Sequence, residues 1–108
     1  MKDYICPACG IIDRFGEKWS LRVLVLLEQH EVMRFNELQK NVSGISQKML
    51  ASTLRALESQ KLVSRKIYAE VPPRVEYRLT PLGDSLMVPL HGLIDWALEH
   101  AEEITAAP

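Results

Sequence analysis

Ser46-Gln47-Lys48-Met49-Leu50-Ala51-Ser52-Thr53-Leu54-Arg55-Ala56-Leu57-Glu58-Ser59 and the Val71-Pro72-Pro73-Arg74-Val75-Glu76-Tyr77-Arg78-Leu79 that follows decide the fold of this 108-residue chain. At the pitch of an α-helix, Leu50, Leu54 and Leu57 fall within about 60° of one another. The first stretch therefore predicts an amphipathic helix, with Ser46 as its cap. The opposite side carries Lys48, Ser52, Arg55 and Ser59, two cations and two small hydroxyls. Between the two stretches, Leu62 to Glu70 is rich in Val, Ile and Tyr and predicts a strand. Pro72-Pro73 forces a turn, and Val75 to Leu79 alternates as a returning strand does.

Working outward from this core gives the remaining elements. Cys6-Pro7 opens a first helix with proline at the first helical position. Ile11, Ile12 and Phe15 form its apolar stripe, and Gly16 ends it. Trp19, Val23, Leu26 and Leu27 recur at helical spacing and predict a second helix to about Glu28. Met33-Arg34-Phe35 is too short for more than a small strand. Asn36 is expected to cap a third helix, with Gln39 completing a box, burying Leu38 and Val42 and stopping at Ser43-Gly44. Thr80-Pro81 begins a long last helix, in which Leu86, Leu90, Leu93, Ala97, His100 and Ile104 recur at spacings of three and four. Pro89 removes an internal hydrogen bond there and is expected to kink it. The expected fold is α+β, mostly α: a winged helix-turn-helix with a small β-hairpin wing, one domain over residues 1–108.

The formal net charge of −1 conceals a polarised chain. From Arg34 to Arg78 nine bases meet four acids, a net +5, while the two flanks together carry −6. A basic middle suits a polyanion. On the predicted fourth helix, small hydroxyls permit close approach to a groove, and Lys48 and Arg55 reach phosphates or guanine edges. A hairpin tip stiffened by two prolines and ending in Arg74 suits a narrow, electronegative minor groove. No exposed aromatic pair for stacking RNA bases is evident. These features point to double-stranded DNA, with Gln47, Lys48, Ser52, Arg55 and Arg74 as the contacting residues.

The order of motifs resembles the HxlR-type family of bacterial regulators, a branch of the MarR-like winged helices. The likeness runs from Cys6 to about Trp96 and rests on Gly16-Glu17-Lys18-Trp19, Arg34-Phe35-Asn36-Glu37-Leu38 and Gly44-Ile45-Ser46-Gln47-Lys48-Met49-Leu50. It continues through Leu54-Arg55-Ala56-Leu57-Glu58, Leu62-Val63-Ser64-Arg65 and Pro72-Pro73-Arg74-Val75-Glu76-Tyr77. The resemblance implies a homodimer on a palindromic operator, joined through the first and last helices, with the fourth helix as reader and the hairpin as wing. One departure is Gln60-Lys61, where the family usually places a glycine before the strand. Without glycine, a residue in the left-handed region is expected there, at a cost of about 1 kcal/mol.

Cys6-Pro7-Ala8-Cys9 admits three chemistries. A thioredoxin-like site needs a preceding strand in a βαβ unit, and only five residues precede Cys6. A zinc site needs four ligands, of which one chain supplies half. In a reducing compartment both cysteines are expected as thiols. A redox switch is better supported through the resemblance, which implies sensing of oxidants or electrophiles by an N-terminal cysteine, as in some HxlR-type regulators, at the position matched by Cys6. A helix N-terminus would also favour its thiolate. Cys9 would be a resolving thiol, and the competing expectation is that both cysteines merely pack.

His30, His91 and His100 form no i, i+4 pair and are expected as surface or packing residues. There is no Ser-His-Asp set and no Gly-rich phosphate loop, so neither catalysis nor a cofactor or metal is expected. No run of about 18 apolar residues is present, and the N-terminus lacks the apolar stretch of a signal peptide, so a cytoplasmic protein is expected. The sequence thus predicts a dimeric transcriptional regulator, with a winged-helix interaction adaptor or a thiol oxidoreductase as the competing classes.

Overall fold

The computed structural model of the chain describes residues 8–106. The elements run α1 (Cys9–Ile12), α2 (Lys18–His30), α3 (Phe35–Asn41), α4 (Gln47–Ser59), β1 (Val63–Tyr68), β2 (Arg74–Leu79), α5 (Pro81–Glu99) and α6 (Ala101–Thr105). The strands pair antiparallel, with Val63 opposite Leu79 and Tyr68 opposite Arg74. Met33 adds a single bridge to Tyr77, its N–H and C=O both bonded to that residue at 3.0 and 2.8 Å. The architecture is the expected winged helix-turn-helix.

The core sits where α2, α3, α4, the hairpin root and the first half of α5 converge. Val23, Leu24 and Leu27 of α2 meet Leu38 of α3, Leu50, Leu54 and Leu57 of α4, and Met87 and Leu90 of α5. All are buried, and each such side chain contributes roughly 1.5–3 kcal/mol relative to exposure. The expected stripe of α4 is therefore the one that anchors it. Its N-terminus is held by Ser46, whose Oγ accepts the Met49 N–H at 3.0 Å. Gly44, at φ 84, makes the turn between α3 and α4 in a region open to glycine without strain.

Local differences from the sequence reading have identifiable causes. The first helix starts at Cys9 and ends at Ile12 rather than Gly16, although Gly16 N–H still returns to the Ile12 carbonyl at 2.7 Å. The start expected at Cys6-Pro7 lies outside the described residues. Asn36 lies inside α3, whose cap position is Arg34. Glu37 takes the role given to Gln39: its carboxylate accepts the Arg34 N–H at 2.8 Å, and an anion there also suits the positive end of the helix. Likewise Glu17 caps α2 by accepting from the Ser20 N–H at 3.1 Å and hydroxyl at 3.0 Å. The last helix is interrupted at His100, which adopts φ −110 and ψ 17. Its ring packs on Trp96 at 4.8 Å between centroids, and Nδ1 meets Glu103 Oε1 at 2.7 Å, so α6 begins anew from His100.

The end of α4 is the tightest junction. Lys61 takes φ 65, the left-handed conformation expected where glycine is missing. Its N–H bonds the Glu58 carbonyl at 2.9 Å and the Leu62 N–H bonds that of Leu57 at 3.0 Å, the paired bonds of a Schellman motif. Thr80 closes the other side, donating its hydroxyl to the Lys61 carbonyl at 2.6 Å while accepting the Gly83 N–H at 3.0 Å. A Cβ on Gly83 would stand 2.2 Å from the Leu62 carbonyl oxygen, so only glycine lets α5 start there. Lys61→Gly removes left-handed strain of about 1–2 kcal/mol, less about 0.4–1 kcal/mol for a freer unfolded chain. Urea unfolding should therefore show a net gain of roughly 0.5–1 kcal/mol, with the slope unchanged.

Candidate nucleic-acid interface

Burying Leu50, Leu54 and Leu57 turns the opposite side of α4 to solvent. Gln47, Lys48, Ser52, Arg55 and Ser59 are all exposed. Among the described residues, neither Lys48 nor Arg55 enters a salt bridge. Glu58, the acid on the flank of this helix, is instead occupied by Arg65 of β1, Nε to Oε1 at 3.5 Å. The face is thus cationic, with its nearest carboxylate already matched. Four of the expected contact residues, Gln47, Lys48, Ser52 and Arg55, come together on one helix.

Arg65 also links the helix to the hairpin through Tyr77. Burial raises the Tyr77 phenol above its ordinary pKa and the Glu58 carboxylate adds to this, while Arg65 and Arg55 pull the other way. The hydroxyl therefore stays protonated at neutral pH, a dipole at the angle between reader and wing rather than a charge.

Arg74 differs from its expected setting. It is not at the free tip, which Val71, Pro72 and Pro73 form, but is the first residue of β2. Its guanidinium reaches Glu70 at 2.9 Å and Glu76 at 3.3 Å, and lies 4.0 Å from the Tyr68 ring centroid. Lys66 stands over the same ring at 4.9 Å. Two carboxylates and an aromatic face commit Arg74 to bracing the hairpin mouth. Sequence reading missed this clasp, because the register that places Tyr68 opposite Arg74 and Lys66 opposite Glu76 is centred on Val71, ahead of the turn that Pro72-Pro73 marks. The Glu58–Arg65 pair carried no such signal, because it depends on how the hairpin folds back on α4.

Cys9 begins α1, and it is disulfide-bonded rather than the expected thiol. Cys6 lies outside the described residues. His91 Nε2 meets Glu28 Oε1 at 2.6 Å, joining α5 to α2 as a surface contact. Among the described residues no group of three or more His, Cys, Asp or Glu is placed to hold a metal ion.

Apolar residues collect on the terminal helices. Ile11 and Ile12 of α1, Leu93, Trp96 and Leu98 of α5 and Ile104 of α6 are exposed, Leu93 at 59% and Trp96 at 52%. The buried stripe of α5 stops at Leu90. Beyond it, Leu93, Ile94 and Ala97 face Leu21, Val25 and Leu26 of α2 across an open groove of about 700 Å3. The radius of gyration, 15.9 Å, exceeds the ~13 Å of a compact domain of about 100 residues, in keeping with an α5 whose buried stripe ends at Leu90.

The HxlR-like helix-turn-helix family matches residues 14–105. An HTH-type transcriptional regulator of Methanothermobacter thermautotrophicus is 42% identical over 94 residues, covering 87% of this chain and 71% of its own. The HTH-type transcriptional regulator YkvN of Bacillus subtilis is 43% identical over 103 residues, covering 95% and 86%. Among solved structures, the redox regulator HypR in its reduced form superposes with a TM-score of 0.87 at 31% identity, over 94% of this chain and 99% of that one. HypR in its oxidised form gives 0.79 at 34% identity, over 87% and 96%. With a family match over nearly the whole described chain and a reading helix and wing in the same order, the protein belongs to the HxlR-like family of winged helix-turn-helix transcriptional regulators.

Proposed function

We propose that the chain acts as a homodimer of one functional unit, residues 1–108, binding a palindromic operator in the cytoplasm without catalysing a reaction. The observation that carries this is the exposed face of α4, where Lys48 and Arg55, free of salt bridges among the described residues, stand beside Gln47 and Ser52. Lys48 meets a phosphate, Arg55 reaches a base edge in the major groove, and the two small or amide side chains allow the approach. Arg74 contributes through the wing it braces. The adaptor alternative would use a less charged, more apolar reading face, and catalysis would need a reacting group that the α4 face lacks.

The exposed apolar residues of α1, α5 and α6 support the dimer, since a patch of that kind marks an interface. Two reading helices must match half-sites about 34 Å apart, so the seam sets the register. At micromolar concentration, sedimentation should give a dimer, and Leu93→Glu with Trp96→Glu should give a folded monomer. A monomeric unsubstituted protein contradicts the dimer.

For DNA, the probe is a duplex enriched from random sequence by the unsubstituted protein. Arg55→Ala should weaken binding by about 1–3 kcal/mol and relax preference at one base pair. Lys48→Ala should weaken all sequences alike and lower the salt slope by about one. Unchanged binding by the double variant removes α4 as the reader.

Cys6 and Cys9 form the input. HypR exists in reduced and oxidised forms, which supports a redox response on this fold. Two thiols give two electrons and two protons to an oxidant such as diamide, which becomes the hydrazine, and a disulfide remains. Moving the protein from mostly bound to mostly released takes about 5.5 kcal/mol of difference between states, within reach of a covalent change. Starting from reduced protein, diamide should alter affinity for the enriched duplex, with thiol reductant restoring it. Cys6→Ser should abolish the response and leave reduced-state binding intact, while Cys9→Ser changes which disulfide forms. A full response in Cys6→Ser places the sensing elsewhere.

A further inference from the structure

Gln60 is the C-cap residue of α4, and its side chain leaves the helix to reach a distant part of the chain. Its Nε2 donates to the Arg14 carbonyl at 2.6 Å, across 46 positions of sequence. Arg14 lies in the turn that follows α1, and the same turn returns the Asp13 N–H to the Cys9 carbonyl at 2.8 Å and the Arg14 N–H to the Ile11 carbonyl at 3.1 Å. Backbone hydrogen bonds thus tie the Asp13-Arg14 turn to α1, and the Gln60 side chain ties the same turn to the end of α4. On its other side Gln60 is fixed by its own N–H, bonded to the Ala56 carbonyl at 3.0 Å, and is followed at once by the Lys61 turn that roots the wing.

No residue of α1 is buried, and Phe15 in the turn after it is only partly buried against the core, so the bond from Gln60 is a defined link between this segment and α4. Between α1, its turn and the start of α5 lies an open cleft of about 380 Å3 lined by Ile11, Phe15, Leu62 and Leu86, with Gln60 in its wall. The Gln60 Oε1 is buried and has no hydrogen-bond partner among the described residues, so the amide is fixed through its Nε2 on Arg14.

We propose that Gln60 is a positioning residue coupling α1, which carries Cys9, to the C-terminal end of α4, so that a change of state at Cys9 shifts how the reading helix meets DNA. The coupling rests on the redox reading above for its input, but not for the mechanical link itself. The side chain touches no DNA base; it acts through the pose of α4 and the wing root.

Gln60→Met tests it, because methionine keeps the length and bulk of glutamine and removes the donor. Affinity for the enriched duplex is measured for reduced and diamide-treated protein, and amide hydrogen exchange is followed in residues 9–15 and 57–62. Reduced-state affinity should stay within about twofold of the unsubstituted protein, and the oxidant-induced change should shrink at least about fivefold. A merely structural residue would lower both affinities together and leave their ratio alone. Exchange should quicken in both segments. An unsubstituted protein that responds to diamide beside a Gln60→Met variant that responds equally overturns the proposal and leaves the redox reading standing. If the unsubstituted protein gives no response, the redox reading fails. The link is then decided by exchange: faster exchange in both segments upholds it, and a change confined to residues 9–15 overturns it.

Discussion

The constraint on which the rest of the structure depends is the reversal at the end of α4. Lys61 must adopt a left-handed backbone so that Leu62 can bond back to Leu57 and point β1 away from the helix. That one turn sets the angle between reading helix and wing, and Leu57 and Leu62 are both buried around it. Thr80 and Gly83 then attach α5 to the same few atoms. The fourth helix, the hairpin and the terminal helix therefore share the Lys61-Leu62 backbone as a root. Their relative placement follows from backbone hydrogen bonds and one short threonine side chain rather than from long side chains that could relax.

Charge is distributed so that acids are consumed where they would repel a polyanion. Glu58 is matched by Arg65, and Glu70 and Glu76 by Arg74, with Arg78 also 3.8 Å from Glu76. Lys48 and Arg55 of α4 enter no salt bridge among the described residues. Surface pairs of this sort add little stability by themselves. Their effect is on the field, because each carboxylate neutralised near the reading face leaves the local excess of base undiminished.

Most of the fold was legible because period and punctuation agreed. Leu50, Leu54 and Leu57 spelled one helical face, Ser46 and Thr80 marked starts that their hydroxyls do cap, and Pro72-Pro73 marked the turn. The left-handed residue at Gln60-Lys61 followed from an absent glycine, and Lys61 supplies it. Boundaries were harder. Asn36 and Gln39 looked like a box, but the box lies two residues earlier, with Glu37 bonding the backbone of Arg34. Periodicity through Ile104 concealed the break at His100, which involves its contacts to Trp96 and Glu103. At the interface, the exposed set on α4 could be read from its helical face, whereas the roles of Arg74 and Gln60 could not. Arg74 is held by partners on both strands, and Gln60 by a carbonyl 46 residues away, and neither arrangement has a signature in local sequence.

The clasp around Tyr68 bears on the kinetics of recognition. A hairpin of six-residue strands with a proline tip would otherwise sample many twists and shed that freedom on meeting a groove. With Arg74 held by Glu70, Glu76 and the tyrosine ring, the ordering is largely complete before any encounter. Where the hairpin meets DNA as proposed, it would arrive as a rigid probe, so shape mismatches with a wrong duplex would be felt as strain instead of being absorbed by bending. Discrimination between duplexes that differ in groove width would accordingly appear in how long the complex survives, while the rate of first contact is left to the free charges of α4.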